Sequence, residues 1–157
     1  MKRQTKNWIV FTLALYTTMF ILIPPKRGPK VAPFGFYLGF IHASILNYFT
    51  VKIYKLWKYP GDILLKGIPI FTCLSWVPIA NIFAYYFPYR KNSIFKAGYI
   101  LMFASATTAV QHIHGFIGMW ESKKWRTMYT FPLAVFTHTI MTLFLPLFNL
   151  KNIRENH

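Results

Sequence analysis

Five residues able to do chemistry lie inside otherwise apolar runs of this sequence: His42, Gln111, His112, His114 and His138. A polar group at bilayer depth is costly, so it is either paired for packing or kept for function. Imidazole ligates metals and titrates near neutrality. His42, His112 and His138 therefore carry two sharp readings, a metal or haem site and a path for protons or a small solute. The plainer reading gives each one interhelical hydrogen bond, worth about 0.6 kcal/mol. Helical spacing sorts the neighbours. Ala104, Thr108, Gln111, His112 and Gly115 follow steps of three and four and share one face. His114 stands about 200° round the helix from His112 and cannot share a ligand with it. Thr130, Ala134, Thr137, His138 and Met141 form a similar stripe. Packing these faces against the run that holds His42 brings His42, Gln111, His112 and His138 toward one interior, the expected polar intramembrane cluster.

The absences narrow the chemistry. The three carboxylates, Asp62, Glu121 and Glu155, all fall between or after the apolar runs, so none orients an imidazole or completes a metal site within them. There is no H-x-x-x-H, H-E-x-x-H, G-x-S-x-G, P-loop or C-x-x-C pattern. Ser44, Ser75 and Ser105 have no base at a diagnostic spacing. No catalytic residue is assigned, and no cofactor is expected beyond the metal or haem alternative at His42, His112 and His138. The single cysteine, Cys73, has no partner for an internal disulfide.

The elements that must position these residues are membrane helices. Of 157 residues, 55% are hydrophobic and 13% charged, about half the charge of a soluble domain. The charges cluster, and between the clusters lie five apolar runs, at 8–23, 31–51, 68–87, 97–119 and 128–148. About 20 residues cross the hydrocarbon core. The expected fold is all-α, a polytopic membrane helix bundle of about five transmembrane helices forming one domain over 1–157. The basic start and first run have the outline of a signal peptide but no A-x-A cleavage pattern, so an uncleaved span is expected. Gly35, Gly39 and Ala43 make a small-residue stripe of the kind that lets helices approach closely in lipid. Pro69 and Pro78 are expected to bend the third span. The connection at 52–67 alternates lysines with aromatic and aliphatic residues and reads as lying in the headgroup layer.

The net charge is +15, from 18 basic residues against 3 acidic ones. Because the basic residues flank apolar runs, the implied counter-charge is anionic lipid headgroups and not nucleic acid. With five spans, the two sides hold ten and eight basic residues, which leaves orientation nearly undetermined.

Tyr59-Pro60 before the third run, Trp76-Val77-Pro78 within it, and the stretch 115–125 leading into the last run resemble a family of small multi-pass membrane proteins of spore-forming Bacillota. The likeness covers roughly residues 50–140. Members tend to carry an acidic residue where Gln111 and His112 stand and a basic one where Gly61 stands, so this chain departs at both positions. The resemblance implies a bacterial cytoplasmic-membrane protein tied to sporulation, and implies no activity. The leading functional expectation is a non-enzymatic membrane subunit that partners itself or another membrane protein through the Gly35/Gly39/Ala43 stripe. The alternatives are a small transporter or channel with a polar path along the fourth and fifth spans, and a histidine-ligated metal or haem protein.

Overall fold

The computed structural model describes residues 2–61, 63–65, 68–150 and 153. Asp62, Glu155 and the basic residues Lys66, Lys151 and Arg154 lie outside that set, so the expectations placed on them do too. The chain is 76% helix with little strand. Its helices are α1 (Arg3–Leu22), α2 (Gly28–Ile53), α3 (Ile70–Tyr86), α4 (Ser93–Phe116) and α5 (Thr127–Phe148). Three of them, α2, α4 and α5, are long and apolar enough to cross a membrane. Helix α3 is apolar but has 17 residues. Helix α1 has the length, but Arg3, Gln4, Lys6 and Asn7 dilute its first two turns.

Several ends differ from the sequence expectation, each for a local reason. Helix α1 starts at Arg3 and not Trp8, because Arg, Gln and Lys are good helix formers that extend it into the charged segment. Helix α4 starts at Ser93 because the Asn92 side chain accepts from the Phe95 amide at 3.1 Å. It stops at Phe116, short of 119, because Gly118 adopts a left-handed φ of 71°. Met119 N–H then donates to His114 O at 2.8 Å and Gly118 N–H to Gly115 O at 3.3 Å, the paired bonds of a Schellman cap. Pro69 does not bend α3. It sits in a two-residue strand, Ile68–Pro69, paired antiparallel with Leu64–Leu65, and α3 begins after it. Only Pro78 lies within that helix.

Contacts at constant sequence separation set the arrangement. Thr12 Oγ1 meets Ser75 Oγ at 3.0 Å, Asn81 Nδ2 donates to Met19 Sδ at 3.3 Å, and Tyr86 OH donates to Leu22 O at 2.9 Å. These pairs keep α1 and α3 parallel and in register. Helix α2 runs antiparallel to α3, with Gly35 against Asn81 and Gly39 against Trp76 and Val77. A stripe at spacing four drifts about 40° per step in a regular α-helix. Here α2 widens to π-helical turns at Gly35–Ile41 and Tyr48–Ile53. The slower turn keeps Gly35, Gly39, Ala43 and Asn47 buried on one side. Helix α4 packs mainly on α5 and touches α3 through Phe83, which meets Tyr99 and Phe103.

The connections gather at two ends. At one, Trp57–Lys58 pairs antiparallel with Glu121–Ser122, and Lys58 Nζ meets Glu121 Oε2 at 2.6 Å. The 52–67 connection is thus tied to the α4–α5 connection by strand pairing, a feature its lysine pattern did not announce. At the other end Ile23, Val31, Phe34, Leu145 and Leu150 close a hydrophobic core.

Candidate functional site

Two adjoining cavities lie inside the bundle. The larger, about 290 Å³, is bounded by Trp8, Phe11 and Leu15 of α1, by Thr72 to Ile82 of α3, and by Phe103 to His114 of α4. The smaller, about 60 Å³, is bounded by Leu38 to Asn47 of α2, by Thr107 and Gln111 of α4, and by Thr130 to Met141 of α5. Tyr59, Trp76, Thr107 and Gln111 line both. The two therefore adjoin at these four residues, Gln111 among them.

The predicted cluster is brought together only in part. Gln111 and His42 line the smaller cavity. His138 has a fully buried ring that does not line either space. It packs among Trp76, Phe83 and Phe103 at centroid distances of 6.3, 5.2 and 5.7 Å. Its Nδ1 lies 2.7 Å from Ala134 O, which can only accept, so Nδ1 carries the proton and Nε2 is left without a partner. His112 is not in the interior. It is exposed, with its ring against Phe116 at 4.7 Å. The expected convergence of three histidines fails because the interior face of α4 is the one through Thr107, Gln111 and His114, about 100° to 160° round from His112. Among the described residues no group of three His, Cys, Asp or Glu side chains could hold a metal ion.

The residue that sequence spacing set aside is the buried one. His114 sits edge-on to Trp8 at 4.8 Å and to Phe11 at 4.6 Å, joining α4 to α1. Trp8, Thr72 and Trp120 were likewise not singled out; each lines the larger cavity with other atoms, while its side-chain N–H or O–H is buried in the wall without a hydrogen-bond partner. Gln111 Nε2 shares that property. The available signal was the Trp8 and Trp120 pair at one membrane end, which reads equally well as an interfacial belt. Tyr59 and Tyr89 lie outside the helices, and burial pushes the pKa of each well above the ordinary phenol value, so both hydroxyls stay protonated.

The small-residue stripe faces inward. An added Cβ at Gly39 would come within 2.6 Å of Trp76 O and 2.8 Å of Val77 Cα, and one at Gly35 would overlap the Asn81 amide. Ala43 is buried beside them. The stripe is used up within the chain, against α3, and offers no free surface to a partner. Comparison with known proteins returns nothing: no family model, no curated protein and no solved structure matches the chain.

Proposed function

We propose that this is a multi-pass integral membrane protein that takes up a small uncharged molecule from the bilayer, as a binding protein or carrier. The observation that carries the reading is the space of the two adjoining cavities that share Gln111 in their walls. It is built from all five helices, and among the described residues no Lys, Arg, Asp or Glu lines it. An uncharged interior has no counter-charge for an ion, which favours a neutral cargo. This keeps the polar path between α4 and α5 but centres it on Gln111, Thr107 and His42. Fluorobenzene in nanodiscs tests it. A saturable, protein-bound fluorine resonance is expected, distinct from the bilayer pool, and Thr107→Phe should abolish it. A bilayer signal alone refutes the reading.

All five helices cross the membrane in this reading. The parallel α1–α3 register and the strand pairing of two connections at one end support that topology. The basic residues at both ends then meet anionic headgroups, and the resemblance over residues 50–140 points to a bacterial cytoplasmic membrane. Cysteines placed at Lys55 and Lys124 should label from one side, and one at Lys91 from the other. A common side for all three refutes five crossings.

One observation favours a second reading, a subunit that partners itself or another membrane protein. Only 6% of the most apolar stretch of α4 is buried, and that face presents exposed His112. A cysteine at Ala109, also exposed, should then form cross-links in native membranes that His112→Leu weakens.

A further inference from the structure

A third space lies at the end of the bundle opposite the Trp57–Lys58 strand pair. It is a groove of about 390 Å³ between the start of α2 and the end of α5. Both helices are long and apolar enough to cross a membrane, so the groove stands where two spans end. Part of its wall is apolar, with Pro33, Phe148 and Ile153, and part is polar, with Arg27, Lys30 and Asn149. Lys30 is exposed; Arg27 is half-buried and also engaged within the chain. Asn149 takes a left-handed φ of 53° at the end of α5, and its side chain is exposed.

The positive end of the α2 dipole and the negative end of the α5 dipole meet here and offset one another, so side-chain charge sets the field. That charge is positive. Lys26, Arg90, Lys91 and Lys96 stand at the same end of the bundle. Among the described residues the only carboxylate is Glu121, which is paired with Lys58 at the other end. An ammonium, a guanidinium and an amide in one wall suit an anion with several acceptor oxygens, and phosphate is that anion. At about 30 Å³ per heavy atom of a liquid, the groove takes roughly a dozen heavy atoms, the size of a phosphate with its glycerol.

An apolar strip continuing from the groove favours a lipid over a soluble phosphate. Phe148 meets Phe34 at 5.4 Å and Tyr37 at 6.1 Å, and Tyr37 and its neighbour Phe36 are exposed. We propose that the groove binds one anionic phospholipid, its phosphate held by Lys30 beside Arg27 and Asn149 and its chains laid along Tyr37 and Phe148. This is a single saturable site, unlike the general attraction of basic clusters to a charged surface. It goes beyond the uptake reading and needs only the ends of α2 and α5.

The test is native mass spectrometry of the full-length protein in neutral detergent, titrated with phosphatidylglycerol. One lipid should be retained at concentrations where phosphatidylcholine of the same chains is not, because the choline ammonium meets Lys30 with like charge. Lys30→Gln should weaken that binding at least about fivefold, and Lys30→Arg should keep it. Lys91→Gln removes the same charge at the same end but outside the groove, and should leave binding unchanged. Equal retention of the two lipids, full binding by Lys30→Gln, or an equal loss in Lys91→Gln overturns the site, the last by reducing it to diffuse surface charge. Glycerol phosphate at matched concentration should not displace the lipid; displacement would mean that the groove takes a soluble phosphate, and the lipid assignment falls. Wild-type thermal unfolding of each variant shows that it folds. Fluorobenzene uptake reads the bundle interior, so its failure would leave this site standing, and the reverse holds too.

Discussion

Gly39→Ala should loosen the bundle from its centre. The added Cβ would lie 2.6 Å from Trp76 O, 2.8 Å from Val77 Cα and 2.9 Å from Trp76 C, all backbone atoms that cannot rotate aside. An ordinary contact begins at 3.4 Å, so α2 and α3 must part by nearly an ångström. Overpacking of this kind costs about 1 to 3 kcal/mol. Replacing a helical glycine returns about 0.5 to 1 kcal/mol of backbone entropy, so the net loss is about 0.5 to 2 kcal/mol. Gly98→Ala is the control, because nothing lies within 4 Å of its added Cβ, and it should gain about 0.5 to 1 kcal/mol. Gly35→Ala falls between the two. It meets the Asn81 side chain, which can turn but would lose its bond to Met19. Unfolding by sodium dodecyl sulfate in mixed micelles, followed by tryptophan fluorescence, reads all three. The close approach of α2 and α3 is refuted if Gly39→Ala is as stable as Gly98→Ala.

The other substitutions separate buried from exposed polarity. His114→Ala should cost about 2 kcal/mol or more in the same unfolding assay, since its ring is wedged between Trp8 and Phe11. His112→Ala should stay within about 0.5 kcal/mol of wild type, because the ring is exposed; the reverse order would mean that the wrong face of α4 looks inward. Glu121→Gln should cost less than about 1 kcal/mol, as the Lys58–Glu121 pair is half-exposed on both sides and screened. In the pH dimension, Tyr59 and Tyr89 bind their protons more tightly in the folded state than in the unfolded one. Stability should therefore be indifferent to them below about pH 10 and fall above it, where the unfolded chain releases protons first. Tyr59→Phe should lessen that alkaline loss, and an unchanged slope in Tyr59→Phe/Tyr89→Phe would remove them as its source.

Much of the architecture could be read from periodicity, because five apolar runs separated by charge clusters leave few alternatives to helices. The ends were less legible. Asn92 and Gly118 carried standard cap signals, whereas the pairing of Trp57–Lys58 with Glu121–Ser122 joins segments more than sixty residues apart and has no local signature. The site was legible at Gln111 and His42 but not at His112. The small and polar residues of α4 form two stripes, and spacing alone does not say which of them meets protein. The inward one was marked by Thr107, Gln111 and His114, and choosing it required knowing that α1 would stand beside α4. The Gly35/Gly39 stripe correctly announces a close helix approach, but composition cannot tell whether the partner helix belongs to the same chain.

The choice of α3 as that partner follows from what α3 lacks. It is apolar all round, with Thr72, Cys73, Ser75, Ala80, Asn81, Phe83 and Ala84 all buried, so it has no polar face to turn toward headgroups or water. Its 17 residues are few for a helix that must match the bilayer alone. A helix surrounded by α1, α2 and α4 is relieved of that demand, and neighbours can cover the backbone carbonyl that Pro78 leaves free. The same centrality explains the cavity. Gly35 and Gly39 draw α2 tightly onto one side of α3, and the hydrogen bonds at Thr12, Asn81 and Tyr86 fix α1 on another. Helix α4 is held chiefly by α5 and reaches α3 and α1 through large side chains, Phe83 and His114. Where backbones cannot close up, space remains, and it remains on the side of α3 that faces α4. Filling that seam with Ala106→Leu should therefore stabilise the fold while weakening fluorobenzene binding. A variant that binds normally and gains no stability would show that Ala106 faces lipid and that the seam is closed.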